Sequence, residues 1–530
     1  MSTARAQAAV NAALAASLAS LMVWLGPPGT DFAAHVYQLD VFVRHGFELW
    51  TNYWYAGRYT FVGYSLIYYP LAALIGIKLL AVLSAATATA AFTLLVRETW
   101  GEQTLWATRL FAIVTAGSLV SAAFPYGLGL AFMLAALLAL ARGRLAFFAL
   151  FVALTLAASP LAFMFLVVFL CAAGSARIGD GWKKPAAVVA ATCVAAALLW
   201  RLFPDPGRFP FTSGELLAAL TFCAIGIGLS WNVEHARVLR MLFATYAVLC
   251  LVAYFVPSDI GANVARLRFA AIPIAALTLS LRRWRPWPIA VIAFALASSW
   301  NLSPLAWSLA RSSSDPSGSA AFWQPAISFL HRSLPPGYRV EAVDTTGHWE
   351  AVYLTRAGIP IVRGWFRQDD FPQNELLYDG PGPRSYLRWL HGLGVRYVVL
   401  TTAPTDYSSH QERRLLASGR SGLPVVLKTA TTTVYAVPKP VPIVTGPRSP
   451  RVVALTQTKV ALMLKAPGRY RLAVRYSPYF AATGACLSKT TDGMTLIHAR
   501  RAGRLRLSFA VTPKRALAAL AGSSSNCEEK

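Results

Sequence analysis

Thr30-Asp31-Phe32-Ala33-Ala34-His35 is the stretch of this sequence best equipped for chemistry. Asp31 and His35 are four residues apart, so a helix sets both on one face. Asp40 follows, and then Glu48, Trp50, Trp54 and Tyr55. A carboxylate beside apolar surface has its pKa raised toward the working range, where it serves as general base toward a hydroxyl. Asp31 and His35 are also types that ligate a divalent cation. The plainer alternative has Asp31 capping an interfacial helix and His35 as a satisfied surface residue.

A second chemical stretch runs from Pro257 to Arg268. Arg266 and Arg268 suit a phosphate or pyrophosphate through directional, charge-assisted hydrogen bonds, with Asn263 orienting an oxygen nearby. Their alternative is to snorkel to lipid headgroups. Gly347-His348-Trp349-Glu350 and Arg363-Gly364-Trp365-Phe366-Arg367-Gln368-Asp369-Asp370 make a third, dense in Trp, Arg, His and carboxylates. It either closes over a substrate through His348, Trp349, Glu350, Trp365 and Arg367 or forms a structural junction. The aromatic residues Trp54, Tyr55 and Tyr68 offer apolar faces with polar edges on which sugars stack. Anchoring at a membrane interface accounts for such residues equally well.

These stretches must be positioned by two different regimes of chain. Of 530 residues 56% are apolar and only 14% charged, against about 25% charged in an ordinary globular protein. Charges are sparse before Arg311 and common after it. A bilayer-spanning helix needs about 20 mainly apolar residues. Candidates lie near 8–25, 62–95, 105–122, 126–141, 145–158, 160–175, 185–200, 214–230, 239–256, 267–281 and 286–304. This predicts a polytopic α-helical membrane protein with about 11 transmembrane helices; the segment 62–95 is either one tilted helix or broken around Gly76.

The net charge of +26 would suggest nucleic acid in a soluble protein. Here many basic residues sit in short connections between apolar runs, and no RNA-reading motif is present, so no nucleic-acid partner is expected. With a cytoplasmic N-terminus, one side carries Arg97, Arg142, Arg144, Arg177, Lys183, Lys184, Arg237, Arg240, Arg282, Arg283 and Arg285. The other carries Arg44, Arg58, Arg201, Arg208, Arg266 and Arg268. The positive-inside rule then puts the first loop and the C-terminal portion on the outer side.

That C-terminal portion reads as an α/β domain over 311–437 and a β-rich, jelly-roll or sandwich-like domain over 438–530, after a transmembrane domain over 1–310 whose outer loop spans about 26–61. Helical spacing marks Phe322–Leu330 and Ser385–Leu393, and strand patterns mark Tyr338–Val343 and Val395–Leu400. Beyond Pro438, Val452–Leu464, Gly468–Tyr476 and Gly503–Phe509 alternate, and the chain from about Gly522 reads as a tail. Cys486 and Cys527, the two cysteines of this portion, form one disulfide if it lies outside the cell and the fold brings them together.

Several of these residues carry a resemblance. Asp31-Phe32-Ala33-Ala34-His35, Trp54-Tyr55-Ala56-Gly57, Tyr68-Tyr69-Pro70 and Gly261 to Arg268 occur in this order, followed by Gly364-Trp365-Phe366-Arg367-Gln368-Asp369, Tyr386 to Leu390 and Gly394 to Leu400. The chain resembles the GT-C superfamily of polytopic membrane glycosyltransferases, and within it a bacterial group labelled 6-pyruvoyl-tetrahydropterin-synthase related. The resemblance implies a sugar donor on a polyprenyl phosphate, inverting transfer on the outer face of a bacterial plasma membrane, and an acid of the first outer loop as general base. Carried onto this chain, Asp31 is that acid and Asp40 a second one; relatives with an adjacent acidic pair differ, because Phe32 follows Asp31 here. The implied acceptor is a cell-envelope glycan, lipid or protein. No cofactor beyond a divalent cation is implied. The alanine-rich composition fits a GC-rich bacterial source, in which arabinose and mannose polymers occur, but the sequence itself does not name the sugar or the acceptor.

Two other classes compete with this reading. A transporter or flippase of envelope lipid precursors is compatible with many crossings and with intramembrane prolines such as Pro160 and Pro273, although the apolar runs hold few charges for a coupling ion. A non-enzymatic scaffold with a sugar-binding ectodomain is the third class, and an outer cavity holding Asp31 near the arginines discriminates against it.

Overall fold

A computed structural model describes residues 2–176, 182–205 and 207–527. Arg177, counted above toward membrane orientation, lies outside the described residues. The chain divides into two units, the first comprising Met1–His35, Gly63–Leu198 and Gly207–Ser313, the second Val36–Val62, Leu199–Pro206 and Ser314–Lys530.

The first unit is helical, and each apolar segment found in the sequence is mostly helical, the segment 62–95 as two helices. Among the described residues eight spans are long and apolar enough to cross a membrane, one of them the broken 45-residue run Ile77–Ser121; two shorter apolar helices cover Leu145–Ala158 and Pro160–Ser175. Leu74, Val194, Phe255 and Ile292 expose 80, 60, 72 and 61% of their surface. So much outward apolar area is unfavourable in water and is satisfied by lipid tails, as in a multi-pass membrane protein. Inside, Ala8, Ala15 and Ala19 of helix Ser2–Leu25 are buried, and Asn11 Nδ2 donates to Thr93 Oγ1 at 3.2 Å. Small residues and a few polar bonds of this kind hold helices together where no hydrophobic effect does. The segment 62–95 breaks at Gly76, between helices Tyr68–Ile75 and Ile77–Trp100; its φ of +88° is one a residue with a Cβ avoids.

The second unit contains two cores. A four-stranded sheet orders its strands Arg339–Ala342, Val395–Thr401, Thr432–Ala436 and Val425–Lys428, the first two parallel and the others antiparallel. Helix Pro383–Leu393 covers it and stops at Gly394. An eight-stranded antiparallel sheet follows, from Val444–Thr445 at one edge to Arg451–Leu455 at the other. Inward residues of its strands, including Leu462, Leu472, Ile497 and Leu507, share one core, as expected of a sandwich-like layer. The stretch Val452–Leu464 is a hairpin of two strands, Arg451–Leu455 and Val460–Leu464, because its alternation continues across a turn.

The outer loop of about 26–61, expected within the transmembrane domain, divides in the structure: residues 36–62 group with the second unit. The cause is its aromatic content: Trp50 is buried in the eight-stranded core against Phe480, and Ala56 joins the core of the four-stranded sheet. Leu199–Pro206 groups with the second unit as well.

Up to Cys527 the stretch expected as a tail is held to the sheet. Helix Pro513–Leu520 leads to Asn526, which exchanges hydrogen bonds with the Leu487 backbone, and Cys527 is bonded to Cys486. The bridge closes a loop over a separation of 41 residues, which in the chain-entropy picture stabilises by roughly 2–4 kcal/mol. Replacing both cysteines by serine is expected to destabilise the second unit by about 2–4 kcal/mol and so lower its thermal transition temperature, as read by circular dichroism of the full chain with and without reductant. An unchanged transition in the variant would contradict it.

Candidate functional site

In the first unit, Gly26-Pro27-Pro28-Gly29 ends the first helix, since proline neither donates nor continues one. Asp31 is held next by its own N–H, which donates to the Ser121 carbonyl at 3.0 Å, and helix Phe32–His45 begins one residue later. Asp31 Oδ2 receives Arg266 Nη2 at 3.4 Å across 235 residues of sequence. Arg266 Nε donates to Asn263 Oδ1 at 3.1 Å. Both belong to the 3₁₀ helix Gly261–Ala270, whose three residues per turn set positions 263 and 266 on one edge. Arg268, two positions further, faces another way, with its guanidinium 5.6 Å from the Phe269 ring. Of the expected arginine pair, Arg266 is the member that contacts Asp31.

Gly261 seats this 3₁₀ helix. Its φ is +39°, and a Cβ there would lie 1.8 Å from the Phe209 carbonyl oxygen. Only glycine lets the two backbones approach so closely.

His35 is fully buried, and its Nδ1 is 3.2 Å from the Tyr69 hydroxyl. The rings of Phe124, Tyr64 and Tyr68 lie 5.6, 5.9 and 6.0 Å from it. Burial pushes the imidazole down to about 3, against a backbone contact at Ala122 and with a smaller push from the Arg266 charge. It is thus neutral at ordinary pH and offers hydrogen bonds rather than charge. Tyr68, itself fully buried, donates to the Ile77 carbonyl at 3.3 Å. No sugar reaches its ring in this arrangement, so its place is in the packing around His35.

A cavity of about 420 Å³ opens within this unit. Phe92, Phe111, Leu134, Phe165 and Leu242 make most of its wall apolar, and Ser118, Ser121, Tyr126 and Arg266 supply polar groups. Ser121, whose carbonyl holds the Asp31 N–H, thus links the ion pair to the cavity.

The remaining predicted residues lie in the second unit. The carboxylate of Asp40, expected as a second acid of the outer loop, forks onto Arg356 within that unit through Nε and Nη2, the latter at 3.1 Å. Trp54 is fully buried, stacked on Tyr37 at 3.8 Å and donating to the Ala351 carbonyl. Tyr55 is 3% exposed. Neither ring keeps an open face, which corrects their reading as sugar platforms: both are core residues. Trp349 stacks on Tyr353 at 5.7 Å, and Trp365 sets its edge against the His348 ring at 6.1 Å.

Around His348 is a buried charge network that no single stretch of sequence displays. Arg363 forks onto both Asp370 oxygens at 3.1 Å, meets Asp344 Oδ2 at 2.6 Å, and donates to Ser408 and Ser409 at 3.0 and 2.8 Å. Arg367 reaches Asp406 at 2.8 Å, and Tyr386 donates to Glu412 at 2.6 Å. Arg58 holds Asp369 at 2.6 Å. Burial pushes the carboxyls of Glu341 and Glu350 well up, helped by neighbouring carboxylates, Glu412 for the first and Asp344 for the second. Burial also opposes ionisation of Asp370, but the Arg363 fork outweighs it and holds that carboxyl below the usual range.

Asp344 and Asp406 are among the members that sequence reasoning missed, with Glu341 and Glu412. The two aspartates follow strands Arg339–Ala342 and Val395–Thr401, which are parallel neighbours, so both emerge at the carboxyl edge of the sheet. The Asp406 N–H donates to the Asp344 carbonyl at 2.9 Å. The signal was present as an acid soon after each predicted strand, the position at which open α/β sheets gather ligands.

No family profile and no curated protein matches this chain. Among solved structures it is similar to the Archaeoglobus fulgidus oligosaccharyltransferase. The form tethered to an acceptor peptide is 14% identical at a TM-score of 0.44, over 81% of this chain and 74% of that one. The apo form is 14% identical at 0.45, over 74% and 69%.

Proposed function

We propose that the protein is a GT-C-type glycosyltransferase that moves a sugar from a polyprenyl phosphate to a cell-envelope acceptor on the outer face of the membrane. One observation carries the reading: a first-loop carboxylate and a guanidinium from the far end of the membrane unit meet beside a largely apolar cavity to which that guanidinium contributes. A lipid phosphate needs an apolar berth for its chain and a cation for its head, and an acceptor hydroxyl needs a base.

The contact at 3.4 Å is loose, and the Arg266 side chain remains 21% exposed. An incoming phosphate can therefore share that guanidinium. Arg266 then stabilises the negative charge that grows on the departing polyprenyl phosphate, while Asn263 keeps its guanidinium plane in position. Asp31, relieved of part of its cation, takes the proton of the acceptor hydroxyl as the new glycosidic bond forms on the opposite sugar face. Neutral His35 orients the wall behind it through Tyr69. Arabinose and mannose are the sugars favoured for this donor, and the chain would stand with the bacterial GT-C group named above.

The test is lipid and glycan analysis of cells lacking the protein. The expected result is an accumulated unextended acceptor together with unspent polyprenyl-phosphate sugar. Normal envelope glycans and normal lipid intermediates would refute transfer; accumulation of donor on the inner leaflet alone would indicate a flippase instead.

A further inference from the structure

The carboxyl edge of the four-stranded sheet holds a cluster that the transfer mechanism does not use. Asp344, His348 and Glu350 each present one donor atom within 4.8 Å of the others, and all three are buried. His348 Nδ1 is 3.5 Å from Glu350 Oε1 and 3.9 Å from Asp344 Oδ2. Ligands about 2.1 Å from a tetrahedral zinc stand about 3.4 Å from each other, so these separations need little adjustment.

Two of the donor atoms have no hydrogen-bond partner among the described residues, although His348 is 5% exposed and Glu350 1%. They are His348 Nδ1 and Glu350 Oε1, the two that face each other. Leaving such atoms unmatched inside a protein costs free energy comparable to a lost hydrogen bond each. Glu350 is turned this way by Thr345, whose hydroxyl occupies the other oxygen at 2.7 Å. Asp344 Oδ2 also receives Arg363 Nη2 at 2.6 Å and the Ser408 hydroxyl at 3.3 Å, so a cation would share that oxygen with them, and the far nitrogen of His348 faces Asp406 at 3.9 Å. These are the outer partners that metal-ligating carboxylates and histidines normally have.

The electrostatics point the same way. Six buried carboxylates, Glu341, Asp344, Glu350, Asp370, Asp406 and Glu412, gather around the guanidiniums of Arg363 and Arg367. Negative charge in this excess is offset either by protons or by a cation.

We propose that Asp344, His348 and Glu350 form a binding site for a divalent first-row transition cation. The mixed imidazole and carboxylate donors favour zinc over magnesium or calcium, which prefer all-oxygen sites. The ion would pin the turn 344–350 to the sheet edge, and the inference does not depend on the donor or acceptor assigned to the first unit.

The test uses the full-length chain, purified in detergent, stripped with a chelator and titrated with zinc by calorimetry. One equivalent is expected to bind; His348→Gln and Glu350→Gln should each weaken it at least tenfold, Asp31→Asn should leave it unchanged, and excess magnesium should not displace it. Cobalt bound to the unmutated chain gives a check that no misfolded variant can confuse: visible bands of a nitrogen and oxygen site are expected, without thiolate charge transfer. Absence of a bound equivalent, undiminished binding in both glutamine variants, loss of binding in Asp31→Asn, displacement by magnesium, or a thiolate spectrum would each overturn the proposal.

Discussion

Asp31→Asn is expected to lower the rate of sugar transfer by about 10²–10⁴-fold, the usual worth of a positioned general base. Asparagine keeps the size of the side chain and can still accept a hydrogen bond from Arg266, but it cannot take a proton. The comparison that isolates this role is with Arg266→Gln. If Asp31 serves only to anchor Arg266, both substitutions weaken donor binding to a similar degree and leave the rate at saturating donor nearly alone. If Asp31 is the base, Asp31→Asn lowers the saturated rate, while Arg266→Gln raises the donor concentration needed as well. Measuring transfer from a synthetic polyprenyl-phosphate sugar in detergent, over a range of donor concentrations, separates the two. A saturated rate within threefold of the unmutated chain would end the assignment of Asp31. The surrounding packing should survive, since the Asp31 N–H remains bonded to Ser121 whatever its side chain.

Arg363→Met is expected to destabilise the second unit by about 3–5 kcal/mol, the cost of breaking a buried ion-pair network by removing one member. The side chain is 1% exposed and touches Asp344, Asp370, Ser408 and Ser409. Methionine fills most of its volume, so the loss reflects stranded carboxylates rather than a cavity. Arg363→Lys retains a charge but not the fork that spans both Asp370 oxygens, and it should recover only part of the loss. Thermal unfolding of the full chain, followed by circular dichroism, checks both. A methionine variant as stable as the unmutated chain would mean that these carboxylates are protonated and indifferent to the guanidinium.

Local elements were legible because their signals are local. Apolar runs of the right length became helices, Gly503–Phe509 became the strand its alternation promised, and Gly394 closed helix Pro383–Leu393 before strand Val395–Thr401. The helix break at Gly76, left open by hydropathy, followed from backbone conformation. Pattern failed where a residue's type is compatible with two environments. Trp54 and Tyr55 read equally as interfacial anchors, sugar platforms or core, and only packing against Tyr37 and the neighbouring carboxylates placed them inside.

By itself the sequence determined the membrane character of its first part, the succession of α/β and β-rich parts after it, and the chemical types from which a site can be built. These depend on composition and short-range periodicity, which each segment carries alone. Tertiary structure decided which of those residues meet: Arg266 rather than Arg268 beside Asp31, Asp40 on Arg356 instead, and Asp344 and Asp406 gathered at one sheet edge with His348 and Glu350. Such contacts join positions tens to hundreds of residues apart. They follow from how helices pack and strands pair, and side-chain spacing along the chain does not encode them.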